Sequence, residues 1–247
     1  MRSTRLLMGM PVTVEIVDRV PANHLESVYD YFTAVDMRFS LYKPDSEISA
    51  YNRGEKPLAA LSAAMREVLA LASRTKADTN GIFEIRRPDG VLDPSGIVKG
   101  WAVRNAALIL KASGVRNFYV DAGGDIQTGG HNEDGESWRV GIRNPFNHQE
   151  IVKAVSLSEC GIATSGTYVR GQHIYNPDRP DEPITDIVSL SVIGPDVLEA
   201  DRFATAAFAM GGHGIYFLED QQGLEGYVIA ANGVATQTSG FGAFVIS

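Results

Sequence analysis

The sequence predicts an α+β chain, with a largely antiparallel sheet or sheets packed with helices, and three observations carry that expectation. Segments alternating at period two, such as Val12-Thr13-Val14-Glu15-Ile16-Val17, read as strands with one buried face. Stretches with apolar residues at three- and four-residue spacing read as amphipathic helices. The two kinds do not alternate regularly along the chain, which disfavours a doubly wound parallel sheet and leaves α+β. The chain has 247 residues, enough to bury a core without disulfides or a structural metal. It contains no repeat, low-complexity tract or Pro/Ser-rich linker, so residues 1–247 are expected to form one domain.

The elements follow in order. A strand is expected over 9–17 and a helix over 24–37, the latter carrying Leu25, Val28, Tyr31, Phe32 and Val35 at helical spacings. Phe39 to Glu47 reads as a loop that closes on a helix cap at Asp45 or Ser46. A second helix is expected over 62–79, marked by Met65, Val68, Leu69 and Ala72 and stopped by Gly81. A loop over 86–96 leads into a third helix over 99–113. Strand-like segments follow at 117–120, 137–142, 151–157 and 187–192. A fourth helix over 198–210 has Glu199 and Asp201 in its first turns, and the tail segments 226–230 and 243–246 read as a closing hairpin.

Composition excludes several classes of function. An apolar fraction of 44% with 21% charged residues is that of an ordinary globular protein. Lys+Arg 22 against Asp+Glu 30 gives a net charge of −8, and no basic cluster exceeds Arg86-Arg87. Such a surface repels phosphate backbones, so no nucleic-acid partner is expected. The single cysteine, Cys160, removes a disulfide framework and a cysteine-based zinc site. No apolar run approaches the roughly 20 residues of a membrane span, so no membrane insertion is expected. Arg2 and Arg5 precede a short apolar stretch interrupted by Pro11, with neither a small-residue cleavage site nor a lipid-attachment cysteine. A cytoplasmic location is the corresponding expectation.

Four segments carry residue types suited to chemistry. In Leu92-Asp93-Pro94-Ser95-Gly96-Ile97-Val98-Lys99-Gly100, a turn opening a helix presents backbone N–H groups at the positive end of the helix dipole. That arrangement suits a phosphate, with Asp93 placed for a ligand hydroxyl or ring nitrogen and Lys99 for a phosphate; taken alone, a plain helix cap with a surface lysine is the commoner reading of such a turn. The paired glycines of Asp121-Ala122-Gly123-Gly124-Asp125 permit close backbone approach, or simply a tight turn capped by its aspartates. Ala163-Thr164-Ser165-Gly166-Thr167-Tyr168, followed by His173-Ile174, offers a hydroxyl-rich turn and an acid or base. No nucleophile elbow surrounds Ser165, and a structural histidine is the plain alternative. In Ala200-Asp201-Arg202-Phe203-Ala204-Thr205, Asp201 and Thr205 share a helix face. Their two hard oxygens fit Mg²⁺ better than zinc or copper, provided substrate phosphates complete the shell. An acid serving its own helix dipole, with the threonine in the core, is the competing reading.

Together these segments resemble the ApbE-type FAD:protein FMN transferases. The matching pieces occur in family order: Met8-Gly9-Met10, Ser40 to Ser49, Asp93 to Gly100, Gly123-Gly124-Asp125, Ala163 to Gly166, His173-Ile174 and Ala200 to Thr205. The resemblance implies helices on antiparallel sheet in a T-fold-like arrangement, FAD as substrate and Mg²⁺ at its diphosphate. It places Met8, Tyr42, Asp93, Lys99, His173 and Ile174 at flavin-contacting positions, with backbone groups at Ser95 beside the diphosphate. Ile82, Phe83 and Glu84 match the family's glycine-aromatic-acidic turn. Asp201, Thr205 and the backbone carbonyl of Gly96 match its metal positions. The implied reaction is transfer of the FMN part of FAD to a Thr or Ser hydroxyl of an acceptor protein, releasing AMP, with His173 as the catalytic residue that handles the acceptor proton. Hydrolysis of FAD to FMN and AMP, or flavin binding without catalysis, are the alternatives. Only seven residues separate Glu84 from Leu92, where the family usually carries several dozen more. Arg104 and the run His173-Ile174-Tyr175-Asn176-Pro177 also depart from the family pattern.

Overall fold

A computed structural model of the chain describes residues 1–166 and 174–246. It begins with a hairpin, β1 (Arg2–Leu7) and β2 (Met10–Ile16). Met8 and Gly9 join the strands with φ of 52° and 74°, and Leu7 pairs with Met10. Two left-handed residues match the twist of the flanking strands; β2 is the strand expected over 9–17, and β1 is a partner before it that the sequence expectations did not include. Val12, Val14 and Ile16 are fully buried on one face of β2, under α1 (Asn23–Phe39).

The next helices start where the caps require. In α2 (Glu47–Asn52) the Ser46 side chain accepts from the Ser49 amide, and in α3 (Ala63–Asp78) Ser62 accepts from Met65. The third long helix, α4 (Ser95–Ala112), begins a full turn before the expected residue 99. Pro94 supplies its N-cap position and loses no intrahelical hydrogen bond by lacking an N–H. Strands β3 (Phe118–Ala122) and β4 (Asp125–Gly129) meet at Gly123 and Gly124, whose φ of 62° and 101° call for glycine.

A separate hairpin, β5 (Trp138–Arg143) and β6 (Ile151–Leu157), precedes β7 (Gly161–Gly166) and β8 (Ile187–Gly194). Helices α5 (Val197–Ala209) and α6 (Gly214–Glu219) lead to β9 (Glu225–Ala230) and β10 (Ala235–Gln237). The main sheet has eight strands in the order β1-β2-β3-β4-β7-β8-β9-β10, antiparallel at every pairing. The expected α+β class with an antiparallel sheet is the fold observed.

Two expectations are corrected. Residues 163–166 form the last four residues of β7, a strand rather than a hydroxyl-rich turn. The tail does not close through 243–246: β10 pairs with β9, and Phe241–Phe244 is a 3-10 turn. Phe241 is fully buried and stacks 5.4 Å from Tyr227, which draws the last residues across the sheet to a bridge between Val245 and Val155 of β6.

The sheet is covered on both faces. Helices α1, α3 and α4 enclose one apolar cluster over β2 and β3, and α5 and α6 enclose another over β7, β8 and β9. The β5–β6 hairpin seals the opposite face against Ile126, Ile162, Ile193 and Ile229. The two helical layers meet where α4 crosses α5, and that crossing positions the candidate site. Among the described residues, no helix is long and apolar enough to cross a membrane.

Candidate active site

At the crossing, two helices approach more closely than side chains normally allow. A Cβ at Gly100 of α4 would stand 2.6 Å from Asp201 Cβ and 2.8 Å from the Val197 carbonyl of α5. Gly100 instead donates its backbone N–H to Asp201 Oδ2 at 2.7 Å. One turn along α5, Thr205 Oγ1 donates to the Gly96 carbonyl, 3.4 Å away. The Asp201 carboxylate, the Thr205 hydroxyl and the Gly96 carbonyl thus converge from two helices.

Asp125, the first residue of β4, lies beside them and is 1% exposed. Its Oδ1 accepts the Thr164 amide of β7 at 3.2 Å. Its Oδ2 stands 2.7 Å from Lys99 Nζ as an ion pair. Burial, and then the charge of Asp125, push the Asp201 carboxyl up to about 8, against the opposing pull of Lys99 and the Gly100 amide. Asp125 is paired with Lys99, which leaves Asp201 as a buried acid whose proton burial favours, and a divalent cation would take that proton's place. Among the described residues, no group of three or more His, Cys, Asp or Glu side chains could hold a metal ion. A cation here would therefore rest on mixed hard oxygens, a donor set that suits Mg²⁺ when a ligand brings more.

Phe83 forms the floor. It is 4% exposed, and its ring lies against Gly96, where an added Cβ would meet Phe83 Cε2 at 3.4 Å and Thr205 Cγ2 at 3.2 Å. The Phe83 amide donates to the buried Thr79 hydroxyl at 3.0 Å, which fixes the turn after α3. Arg202 ties that end of α3 to α5, with Nη1 2.7 Å from Asp78 and Nη2 2.5 Å from Glu199. Glu84 turns outward to Lys76 at 2.5 Å. Burial would raise the Glu84 carboxyl, but Lys76 and the Arg86 amide hold it below the usual range.

The expected anion cradle is only partly available. The Ser95 amide already donates to Asp93 Oδ1 at 3.0 Å, and those of Ile97 and Val98 donate to the Pro94 carbonyl. Asp93 therefore caps α4, and Lys99 binds Asp125 rather than projecting to solvent as a surface lysine. Ile82 and Ile174 both pack on the apolar cluster under α5. The Met8 turn lies at the same end of the sheet as the Gly123-Gly124 turn, since the Gly123 amide donates to the Pro11 carbonyl at 3.1 Å.

Tyr42 is not brought to the others: it is 98% exposed, next to Leu41 at a cleft of about 270 Å³ that also involves Asn52 and Val91. His173 lies outside the described residues. In the sequence Asp125 stood as a turn cap and within the Gly123-Gly124-Asp125 piece of the resemblance, with no binding role assigned to it. An acid opening a fully buried strand must find a partner, but that the partner is Lys99 is a tertiary fact.

Comparison with known proteins adds the following. The profile of the ApbE family matches residues 8–87 and 84–228. A FAD:protein FMN transferase of Klebsiella pneumoniae is 32% identical over 61% of this chain and 46% of its own length. One of Haemophilus influenzae is 25% identical over 83% of this chain and 78% of its own. This chain spans about half the length of most of the curated relatives it matches. Among solved structures, the flavin transferase ApbE from Vibrio cholerae superposes with a TM-score of 0.87 at 23% identity, covering 99% of this chain and 98% of that one. The ApbE protein of Thermotoga maritima superposes with a TM-score of 0.87 at 18% identity, covering 100% and 99%. These two likenesses establish the fold.

Proposed function

This chain belongs to the ApbE family, and from that premise we propose that it transfers the FMN part of FAD to a Thr or Ser hydroxyl of another protein, releasing AMP. The observation that carries the reading is the meeting of Asp201, Thr205 and the Gly96 carbonyl at one helix crossing, beside the ion pair of Lys99 with buried Asp125. Those three groups would hold Mg²⁺, which when bound neutralises charge on the diphosphate oxygens. In the proposed step the acceptor oxygen forms a bond to the FMN phosphorus and the bond from that phosphorus to the bridging oxygen breaks. AMP leaves with that oxygen, and the acceptor proton passes to His173.

The chain's own residues do the positioning. Phe83 and Thr79 fix the wall against which Gly96 rests, and Asp93 fixes the first turn of α4. Incubating the protein with FAD and Mg²⁺, with and without a Thr-containing acceptor, tests the proposal. Covalent flavin fluorescence on the acceptor is expected. AMP release that does not depend on the acceptor would identify a hydrolase, and neither product would identify a flavin binder.

A further inference from the structure

Residues 85–93 join the floor at Phe83 to the first turn of α4, and they do so as a short hairpin. The Asp93 amide donates to the Ile85 carbonyl at 2.7 Å, and the Arg87 amide to the Val91 carbonyl at 2.9 Å. Arg86 and Leu92 face one another between those two bonds, so the N–H and C=O of Leu92 point away from the hairpin. Leu92 is 5% exposed, and leaving these groups unpaired there would be destabilising. Asn52, the last residue of α2, supplies both partners. Its Oδ1 accepts the Leu92 amide at 3.0 Å, and its Nδ2 donates to the Leu92 carbonyl at 3.0 Å. A single carboxamide thus stands in for a third strand. The next residue, Arg53, donates from Nη1 to the Pro44 carbonyl at 2.8 Å, which fastens the loop that carries Tyr42. Leu41 of that loop, and Arg87 and Val91 of the hairpin, all line the cleft of about 270 Å³.

We infer that Asn52 is a positioning residue for FAD, fixing the 85–93 hairpin so that the cleft beside Tyr42 keeps its shape before the ligand arrives. The inference rests on the FAD reading above and deepens it. The carboxamide oxygen and one N–H of Asn52 are engaged by Leu92, so the effect on a ligand passes through the hairpin. Holding a binding wall in its bound position beforehand is read as affinity, because the ligand no longer has to order it.

The test uses the full chain and two measurements. Hydrogen exchange by mass spectrometry, without ligand, follows the 85–93 segment; flavin fluorescence follows FAD binding in the absence of Mg²⁺ and acceptor. Asn52→Ala is expected to speed exchange of the segment roughly tenfold or more, as loss of two hydrogen bonds implies, while α5 exchanges as in the parent. FAD affinity should fall by about the same factor. Unchanged exchange overturns the inference, including the case in which Asn52 acts only by touching FAD itself. Faster exchange with parent-like FAD affinity overturns it as well, since the clasp would then serve stability alone. Should Asn52→Ala fail to fold by near-ultraviolet circular dichroism, Asn52→Ser decides by the same two measurements, because one hydroxyl cannot span both Leu92 groups. Absence of FAD binding by the parent protein removes the FAD reading and this inference with it, a result distinct from any difference between parent and variant.

Discussion

Gly100 shows how one missing side chain places a functional group. In an open helix, replacing glycine by alanine is worth about 1 kcal/mol of stability. Here the added methyl meets Asp201 Cβ and the Val197 carbonyl inside van der Waals contact, and overpacking against backbone costs about 1–3 kcal/mol. Overpacking wins, so Gly100→Ala is expected to destabilise by about 1–2 kcal/mol in urea denaturation, whereas a more stable variant would mean the crossing is loose. Asp201→Asn keeps the shape and removes a charge. Mg²⁺ and FAD should tighten one another equally in the parent protein, and calorimetric titration should find that reciprocity lost in the variant. The i, i+4 spacing of Asp201 and Thr205 was legible because helical periodicity alone puts them on one face. Asp125 and Gly100 were not, since their meaning comes from partners on other elements that no local pattern names.

At the scale of elements, the start of α5 is pinned from two sides. Asp196 Oδ1 accepts the Glu199 amide at 3.0 Å, and buried Gln127 Oε1 accepts the Val197 amide at 2.8 Å. Asp196→Ala is expected to cost about 1 kcal/mol, read by the same denaturation. Asp18 fastens the end of β2 to the start of β3, accepting from the Arg116 and Asn117 amides at 2.6 and 2.9 Å. Burial would raise its carboxyl, but these amides and the Asn117 side chain more than offset that and hold it below the ordinary value. A lowered carboxyl contributes stability above its unfolded-state value and loses it as pH falls through the folded one. Asp18→Asn should therefore flatten the loss of stability below about pH 4 relative to the parent, and equal acid limbs would refute the assignment. Long amphipathic helices such as α1 and α3 were legible from spacing. Strand β7 was not, because Gly161-Ile162-Ala163-Thr164-Ser165-Gly166 is small and polar where α5 presses on it. A Cβ at Gly161 would lie 2.1 Å from the Val197 nitrogen, so packing, not strand propensity, chose these residues. The three exposed residues of β10 show no alternation to read.

At the scale of the molecule, the sheet grows strand by strand from one edge to the other, interrupted only by the β5–β6 excursion. If α4 and α5 share one ligand site, Mg²⁺ and FAD together should raise the melting temperature by more than the sum of their separate effects. Differential scanning fluorimetry reads this, and strictly additive shifts would separate the two sites. The helix crossing also sets a timetable. Gly100 and Asp201 lie 101 residues apart in the chain, and Gly96 and Thr205 lie 109 apart. During synthesis the strands β1 to β4 and their helices emerge first, while the second half of the site is still unmade. A nascent chain that has not yet released α5 has no Asp201 or Thr205 to offer, so under the proposed function it would not capture a nucleotide around an unfinished core, and ligand competence would be reserved for the nearly complete polypeptide.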